Sequence, residues 1–298
     1  MKTLIIGMSE VGRALCEVLR APIKHFQHGT GVYEKPGPHE VTTFDKTDPP
    51  SLILFQPTDV LNICYPYGPR FEEQVSHYVD GCRPMVCIIH STVPVGTTRK
   101  IQHLTAKNGT TRCYHSPIHG QHPRLVEGIR TFTKYLGGCA KEEKGVVDAH
   151  RGIAGKFLTD AGIKVATVEN AETSELSKLM CTAQTAMGIL VQQEIHRLCD
   201  VHNADFREVY TAWNLHYNEG YRKLAAHRES KAGWPLSPDY SRPIYSLNVG
   251  PLGGHCLFQN AALIESWVTK AIREHGGPKD VEDKLQEGGG SNKPTSMG

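Results

Sequence analysis

No stretch of this chain stays apolar for the ~18 residues that a membrane-crossing helix needs, so neither a transmembrane segment nor a membrane partner is expected. An excess of either charge is missing as well, with 33 basic residues against 31 acidic ones. A net charge of +2 gives no electrostatic ground for nucleic acid or an anionic surface as partner. The nine cysteines show no paired spacing, and their odd number argues against a disulfide framework. A secretory leader is not expected either, since the first strand-like run begins at Lys2. No internal repeat is visible. These absences predict a soluble, cytoplasmic protein of a reducing compartment. What is present, 298 residues of which 39% are hydrophobic, suffices for two domains with a sizeable core.

The order of elements is informative. Lys2 to Ile6 is a short apolar run closing on Gly7, and Val11 to Leu19 repeats its apolar residues at helical spacing. Residues 22–38, rich in Gly, Pro and His, read as an extended loop. His39 to Phe44 reads as a strand ending at Asp45. Asp59 to Cys64 and Met85 to Ile89 add two more strands, with a helix from Phe71 to Val79 between them. Strands alternating with helices predict an N-terminal Rossmann-type doubly wound parallel sheet over residues 1–165.

Beyond it an all-helical domain is expected over 166–275, with one long central helix, and a flexible Gly- and Ser-rich tail over 276–298. From Glu172 to Cys199, residues Leu176, Leu179, Met180, Ala183, Met187, Leu190, Val191, Ile195 and Leu198 form one apolar stripe. That length fits a buried spine between domains or subunits. Lys178, Thr182 and Thr185 fall on a different stripe. Trp213, Tyr217 and Tyr221 read as core or dimer contacts.

Three motifs point toward chemistry. Gly7-Met8-Ser9-Glu10-Val11-Gly12 matches the dinucleotide fingerprint, with Ser9 where the second glycine belongs. Its backbone N–H and hydroxyl still stand at a helix N-terminus, where phosphate binds. Asp45 would accept hydrogen bonds from the ribose hydroxyls and repel a 2′-phosphate, which favours NAD over NADP. The alternative is an α/β domain without a nucleotide.

Gly250-Pro251-Leu252-Gly253-Gly254-His255-Cys256-Leu257 delivers a lone thiol on a glycine-rich turn, where it could attack a bound carbonyl. A buried structural cysteine is the alternative. His115, His119 and His122 suit zinc, yet no carboxylate joins them at a telling spacing. No metal site is predicted, and the three are expected to line the substrate pocket.

Read together, several segments resemble the UDP-glucose/GDP-mannose dehydrogenase family. His90-Ser91-Thr92-Val93-Pro94-Val95-Gly96-Thr97-Thr98 is similar to its Ser-Thr-Val-Pro-x-Gly-Thr-Thr segment. Ala171-Glu172 through Lys178 to Gln193-Glu194 is similar to its central helix, and Gly253-Gly254-His255-Cys256-Leu257 to its catalytic turn. The spacing from Pro117 to Gly137-Gly138 also fits. Together these segments cover most of residues 1–270.

The resemblance implies a Rossmann domain, a helical middle domain that pairs into a homodimer, and oxidation of a nucleotide sugar with NAD. Cys256 would be the nucleophile, Lys178 would stabilise the oxyanion, and Thr92 would sit beside the catalytic water and the nicotinamide. Gly7, Ser9, Val11, Gly12, Asp45 and Thr92 would hold the cofactor.

The departures from that pattern are also definite. Ile118 stands where the family carries a glutamate, and His122 stands at a second such position, where it could serve as base. Asn260 replaces an aspartate, and Thr182 an asparagine. Only 42 residues follow Cys256 (298 − 256), too few for the family's C-terminal domain. Two rivals therefore stand beside the first reading. One is a two-electron hydroxyacid or alcohol dehydrogenase that uses no cysteine. The other is a nucleotide-binding module whose chemistry has lapsed.

Overall fold

A computed structural model describes residues 1–27, 31–35, 37–48, 57–106, 111–120, 123–139, 144–228, 241–247, 250–252 and 255–276. The chain divides into two compact units, Met1–Leu179 and Met180–Gly298. Among the described residues no helix is long and apolar enough to cross a membrane.

The first unit is a seven-stranded sheet. Its strands are β1 (Lys2–Ile6), β4 (Glu40–Phe44), β5 (Val60–Ile63), β6 (Val86–Ile89), β7 (Arg112–His115), β8 (Lys134–Gly138) and β9 (Val165–Thr167), in the order β4-β1-β5-β6-β7-β8-β9. All neighbours are parallel except β7 and β8. β5 and β6 are buried throughout, and β1 from Thr3 onward, because both faces are covered, as parallel strands require. On β1, Ile5 packs to one side and Leu4 and Ile6 to the other.

The Ile5 side is covered by α1 (Glu10–Arg20) and α5 (Lys144–Asp160), through residues such as Leu15, Leu19 and Phe157. The opposite side is covered by α2 (Phe71–Cys82) and α3 (Thr97–Thr105), through Phe71, Val75, Val79 and Ile101. A short helix, α4 (Leu125–Thr131), precedes β8. The chain leaves β1 toward β4, then crosses to β5 on the other side. The carboxyl ends of these strands therefore frame a crevice at a topological switch point.

One expectation fails. Residues 22–38 do not form a plain loop: β2 (Ile23–Gln27) and β3 (Gly31–Lys35) pair as an antiparallel hairpin. Its arms carry Ile23, Phe26, Val32 and Tyr33, residues that suit a pleated strand, and the surrounding His, Gly and Pro conceal that alternation.

Helix α6 (Ala171–His202) is the long central helix; its first turns belong to the first unit and the remainder to the second. A π-helical turn (Arg207–Ala212), α7 (Trp213–Arg228), α8 (His255–Ala261) and α9 (Trp267–Gly276) follow. The small core of the second unit gathers Ala183, Ala186, Leu252, Ala261 and Ile272. The apolar stripe of α6 is only partly buried. Leu179 and Ala183 are, but Leu176, Val191 and Leu198 are exposed, because none of the described residues is packed over them. Trp213 is likewise 69% exposed rather than core, while Tyr217 packs on Tyr221 and under the Arg242 guanidinium, 3.7 Å from its ring centroid.

Candidate active site

At the carboxyl end of β1 the chain turns through Gly7 with φ +93°, a backbone state that side chains resist. A Cβ there would lie 2.8 Å from the Tyr65 backbone nitrogen, and one at Gly12 would overlap the Gly7 carbonyl oxygen. Both glycines are therefore demanded by close approach of turn, strand and helix. Ser9 occupies the N-cap of α1 without a side-chain capping bond, and Val11 packs partly against the core. Beside this turn lies a cavity of about 470 Å³, lined by Gly7, Asp45, Lys46, Tyr65, Arg70 and Tyr78 among others. That volume suits a small-molecule fragment. Asp45 lies in it at the end of β4, and its Oδ1 accepts the Lys46 amide at 2.7 Å.

The segment after β6 is held from the helix that bears Lys178. Glu175, wholly buried, accepts the Gly96 amide (2.6 Å), the Thr98 amide (2.9 Å) and the Thr98 hydroxyl (2.7 Å). A carboxylate there satisfies the free N–H groups at the start of α3. Burial raises the pKa of Glu175, while the bonds from Thr98 and Gly96 oppose the rise. One turn along, the half-buried Lys178 donates from Nζ to the Ile118 carbonyl at 2.9 Å. Thr92 is half-buried on the same segment. Ser91 Oγ donates to the Tyr65 carbonyl at 2.6 Å, and His115 Nε2 donates to the Ser91 carbonyl at 3.1 Å.

His115 does not line a pocket. It is completely buried, its Nδ1 accepts from Ser174 Oγ at 2.6 Å, and burial lowers its pKa to about 3. His119 stands edge-on to Tyr135, and burial, then Lys178 and Lys134, lower its pKa to about 4. His122 lies outside the described residues. Among the described residues no group of three His, Cys, Asp or Glu side chains is arranged to hold a metal. Ile118 is buried in the core cluster beneath the α1 face.

Lys134 is the unforeseen member of this region. It is 3% exposed, and its ammonium donates to the Ser116 carbonyl, which also accepts from His90 Nδ1 at 3.1 Å. Burial lowers its pKa from 10.5 to about 7, with Lys178 adding to the fall. His90 is driven well below its ordinary value, first by burial and then by Lys134.

In the second unit Asn260 Nδ2 donates to Thr182 Oγ1 at 3.5 Å. Two of the departures noted in the sequence, Asn260 and Thr182, are thus partners of each other. Cys256 is an exposed thiol on α8, one turn before Asn260; Gly253 and Gly254 lie outside the described residues.

No protein-family model matches this sequence, and no curated protein matches it. Solved structures do match its fold. A UDP-D-ManNAc dehydrogenase from Pyrococcus horikoshii aligns with a TM-score of 0.62 at 15% identity, over 96% of this chain and 70% of its own. A UDP-glucose dehydrogenase from Pyrobaculum islandicum aligns with a TM-score of 0.61 at 13% identity, over 92% of this chain and 67% of its own. The 3-hydroxyisobutyrate dehydrogenase of Mycobacterium tuberculosis aligns with a TM-score of 0.50 at 13% identity, over 96% of this chain and 91% of its own. The Rossmann-like α/β fold with a helical C-terminal region is shared with all three.

Sequence reasoning passed over Glu175, Lys134 and Lys46. Glu175 had a signal, since it lies one turn before Lys178 in the opening of a long helix. Lys134 had none, because only the antiparallel return of β8 carries its side chain to Ser116.

Proposed function

We propose that this chain oxidises a primary alcohol of a sugar-like substrate, with a nucleotide sugar the first candidate and NAD the hydride acceptor. The observation that carries the reading is the Gly7–Gly12 turn beside a cavity of about 470 Å³ at the switch point of the sheet. Gly7 and Gly12 let backbone N–H groups reach a pyrophosphate, with Ser9 and Val11 in the opening turn of α1. Asp45 takes the ribose hydroxyls, and Thr92 stands by the nicotinamide. When bound, the nicotinamide supplies the hydride acceptor.

The remaining roles belong to the chain's own side chains. Lys178, anchored on the Ile118 carbonyl, is the cation that steadies the alkoxide. The Cys256 sulfur adds to the aldehyde carbon left by the first hydride transfer. Loss of a second hydride then gives a thioester, which water cleaves. Asn260 orients that water and His122 takes its proton. A second copy of the chain covers the apolar side chains exposed on α6 and α7, among them Val191, Leu198 and Trp213.

One observation favours a second reading. Ile118 is buried and apolar where a base for hydrolysis is wanted. That suits a single hydride transfer without covalent catalysis, on an alcohol or hydroxyacid. The broad coverage of the hydroxyisobutyrate dehydrogenase chain supports it too.

The experiment counts NADH released per substrate by the chain and by Cys256→Ala. Two NADH in the first and an accumulating aldehyde in the second support the covalent route. One NADH in both selects the second reading, and none in either leaves a nucleotide-binding module. Lys178→Met is expected to lower kcat about 100-fold or more in both routes.

A further inference from the structure

We propose that the cavity at the switch point accepts an adenosine whose ribose carries a 2′-phosphate, held by Lys46 and Arg70. The chain would then bind NADP(H) alongside NAD(H). The inference rests on the dinucleotide reading of this cavity and deepens it.

Asp45 alone argues for a free 2′-hydroxyl, but its surroundings change the balance. The chain folds into a tight turn after β4: the Asp48 amide donates to the Asp45 carbonyl (2.9 Å), and the Asp45 amide to Asp48 Oδ2 (2.8 Å). Asp45 Oδ1 is drawn into the same turn by the Lys46 amide, so part of its charge is already engaged. That turn places Lys46 in the cavity lining directly after the acidic residue. There a basic side chain accommodates a 2′-phosphate.

Arg70 supplies the second cation, and its placement is costly by local rules. It sits at the N-cap of α2 with φ 60° and makes no side-chain capping bond. A helix start favours Ser, Thr, Asp or Asn, and the left-handed region is unfavourable for a residue with a Cβ. A strained residue that lines a cavity is accounted for by what the cavity holds. Among the described residues neither Lys46 nor Arg70 has an ion-pair partner, so both charges remain available for a phosphate.

Tyr65 and Tyr78 line the same cavity and supply aromatic surface for an adenine. Asp45 and Glu73 balance the two cations. The site as it stands is therefore close to neutral and tolerates hydroxyl or phosphate. That is the ground for inferring both cofactors rather than a switch to NADP.

The test titrates the full chain with NADH and with NADPH, reading dinucleotide fluorescence. Competition by 5′-AMP and 2′,5′-ADP isolates the adenosine half. The expected result is a Kd for NADPH within about tenfold of that for NADH. Lys46→Ala and Arg70→Ala should each weaken NADPH about tenfold, or 1.4 kcal/mol, and leave NADH within about twofold. NADH binding with NADPH weaker by 100-fold or more overturns the inference and leaves the dehydrogenase reading standing, as does an equal loss of both cofactors in the variants. Binding of neither dinucleotide to the folded chain overturns both.

Discussion

Met1–Leu179 and Met180–Gly298 are stabilised by different means. The first unit buries large side chains on both faces of its sheet, with Leu15, Leu19 and Phe157 on one and Phe71, Ile89 and Ile101 on the other. Its carboxyl edge carries buried hydrogen-bonded polar groups, with His90 on Asn62 and the Ser116 carbonyl, His115 on Ser174, and Glu175 on the start of α3. Among the described residues, the buried core cluster of the second unit holds five residues, three of them alanines. Polar bonds such as Gln193 to the Gly250 carbonyl (2.6 Å) and Arg273 to the Ala261 carbonyl (2.7 Å) add to it. Trp213 and Trp267 are 69% and 77% exposed. The first unit is built on two large apolar clusters, whereas the second, among the described residues, leaves large apolar side chains such as Trp213 and Trp267 exposed, and in the proposed homodimer that area is what a second copy would bury.

The sharpest way to break this contrast is Gly12→Val. Its side chain cannot be accommodated against the Gly7 carbonyl, so the turn, α1 and β1 cannot keep their packing. A loss of about 4 kcal/mol or more is expected, seen as a thermal midpoint at least ~10 °C lower. An unchanged midpoint would show that turn and helix are not in close contact.

Glu175→Ala comes next. It strands two backbone amides and one hydroxyl that now share a carboxylate. About 3 kcal/mol should be lost in denaturant unfolding, and Glu175→Gln should recover part of it.

Lys134→Met should act in the opposite direction. The folded pKa of Lys134, about 7, lies below its ordinary 10.5, so between those values the unfolded chain binds the extra proton. The stability of the unmodified chain therefore climbs as pH rises through that window, and the full penalty is present below it. The variant should be more stable by a few kcal/mol at pH 7, with the advantage vanishing near pH 10.5. A gap that stays constant across the window would refute the buried-amine account.

The smallest thermal effect is expected in the second unit. Trp213→Glu touches an exposed residue and should move the midpoint by no more than ~0.5 kcal/mol of stability in a monomer. Light scattering should nonetheless report a shift from dimer to monomer. A chain that is already monomeric would remove the second copy from the proposal.

The legibility of this chain follows how local each feature is. β1 and α6 stood out because an apolar run and a long 3.6-residue period are properties of contiguous residues. The hairpin of β2 and β3 was hidden by the His and Gly at its centre. The stripe on α6 was readable as a stripe, yet periodicity says nothing of what covers it, and Leu176, Val191 and Leu198 turned out exposed. Among the candidate site residues, Gly7 and Gly12 were readable as turn glycines because a close-packed turn admits few residue types. Lys134 was not, since only chain return over many residues brings its amine beneath Ser116.

By itself the sequence determined the alternation of strands and helices, the glycine turn and the long helix, all of which depend on neighbours a few positions apart. Tertiary structure alone decided which polar groups meet: Glu175 with the start of α3, Lys134 with Ser116, Asn260 with Thr182, and Lys46 with Arg70 around one cavity. Hydrogen bonding and desolvation act through space between residues distant in the chain, and no local pattern encodes them.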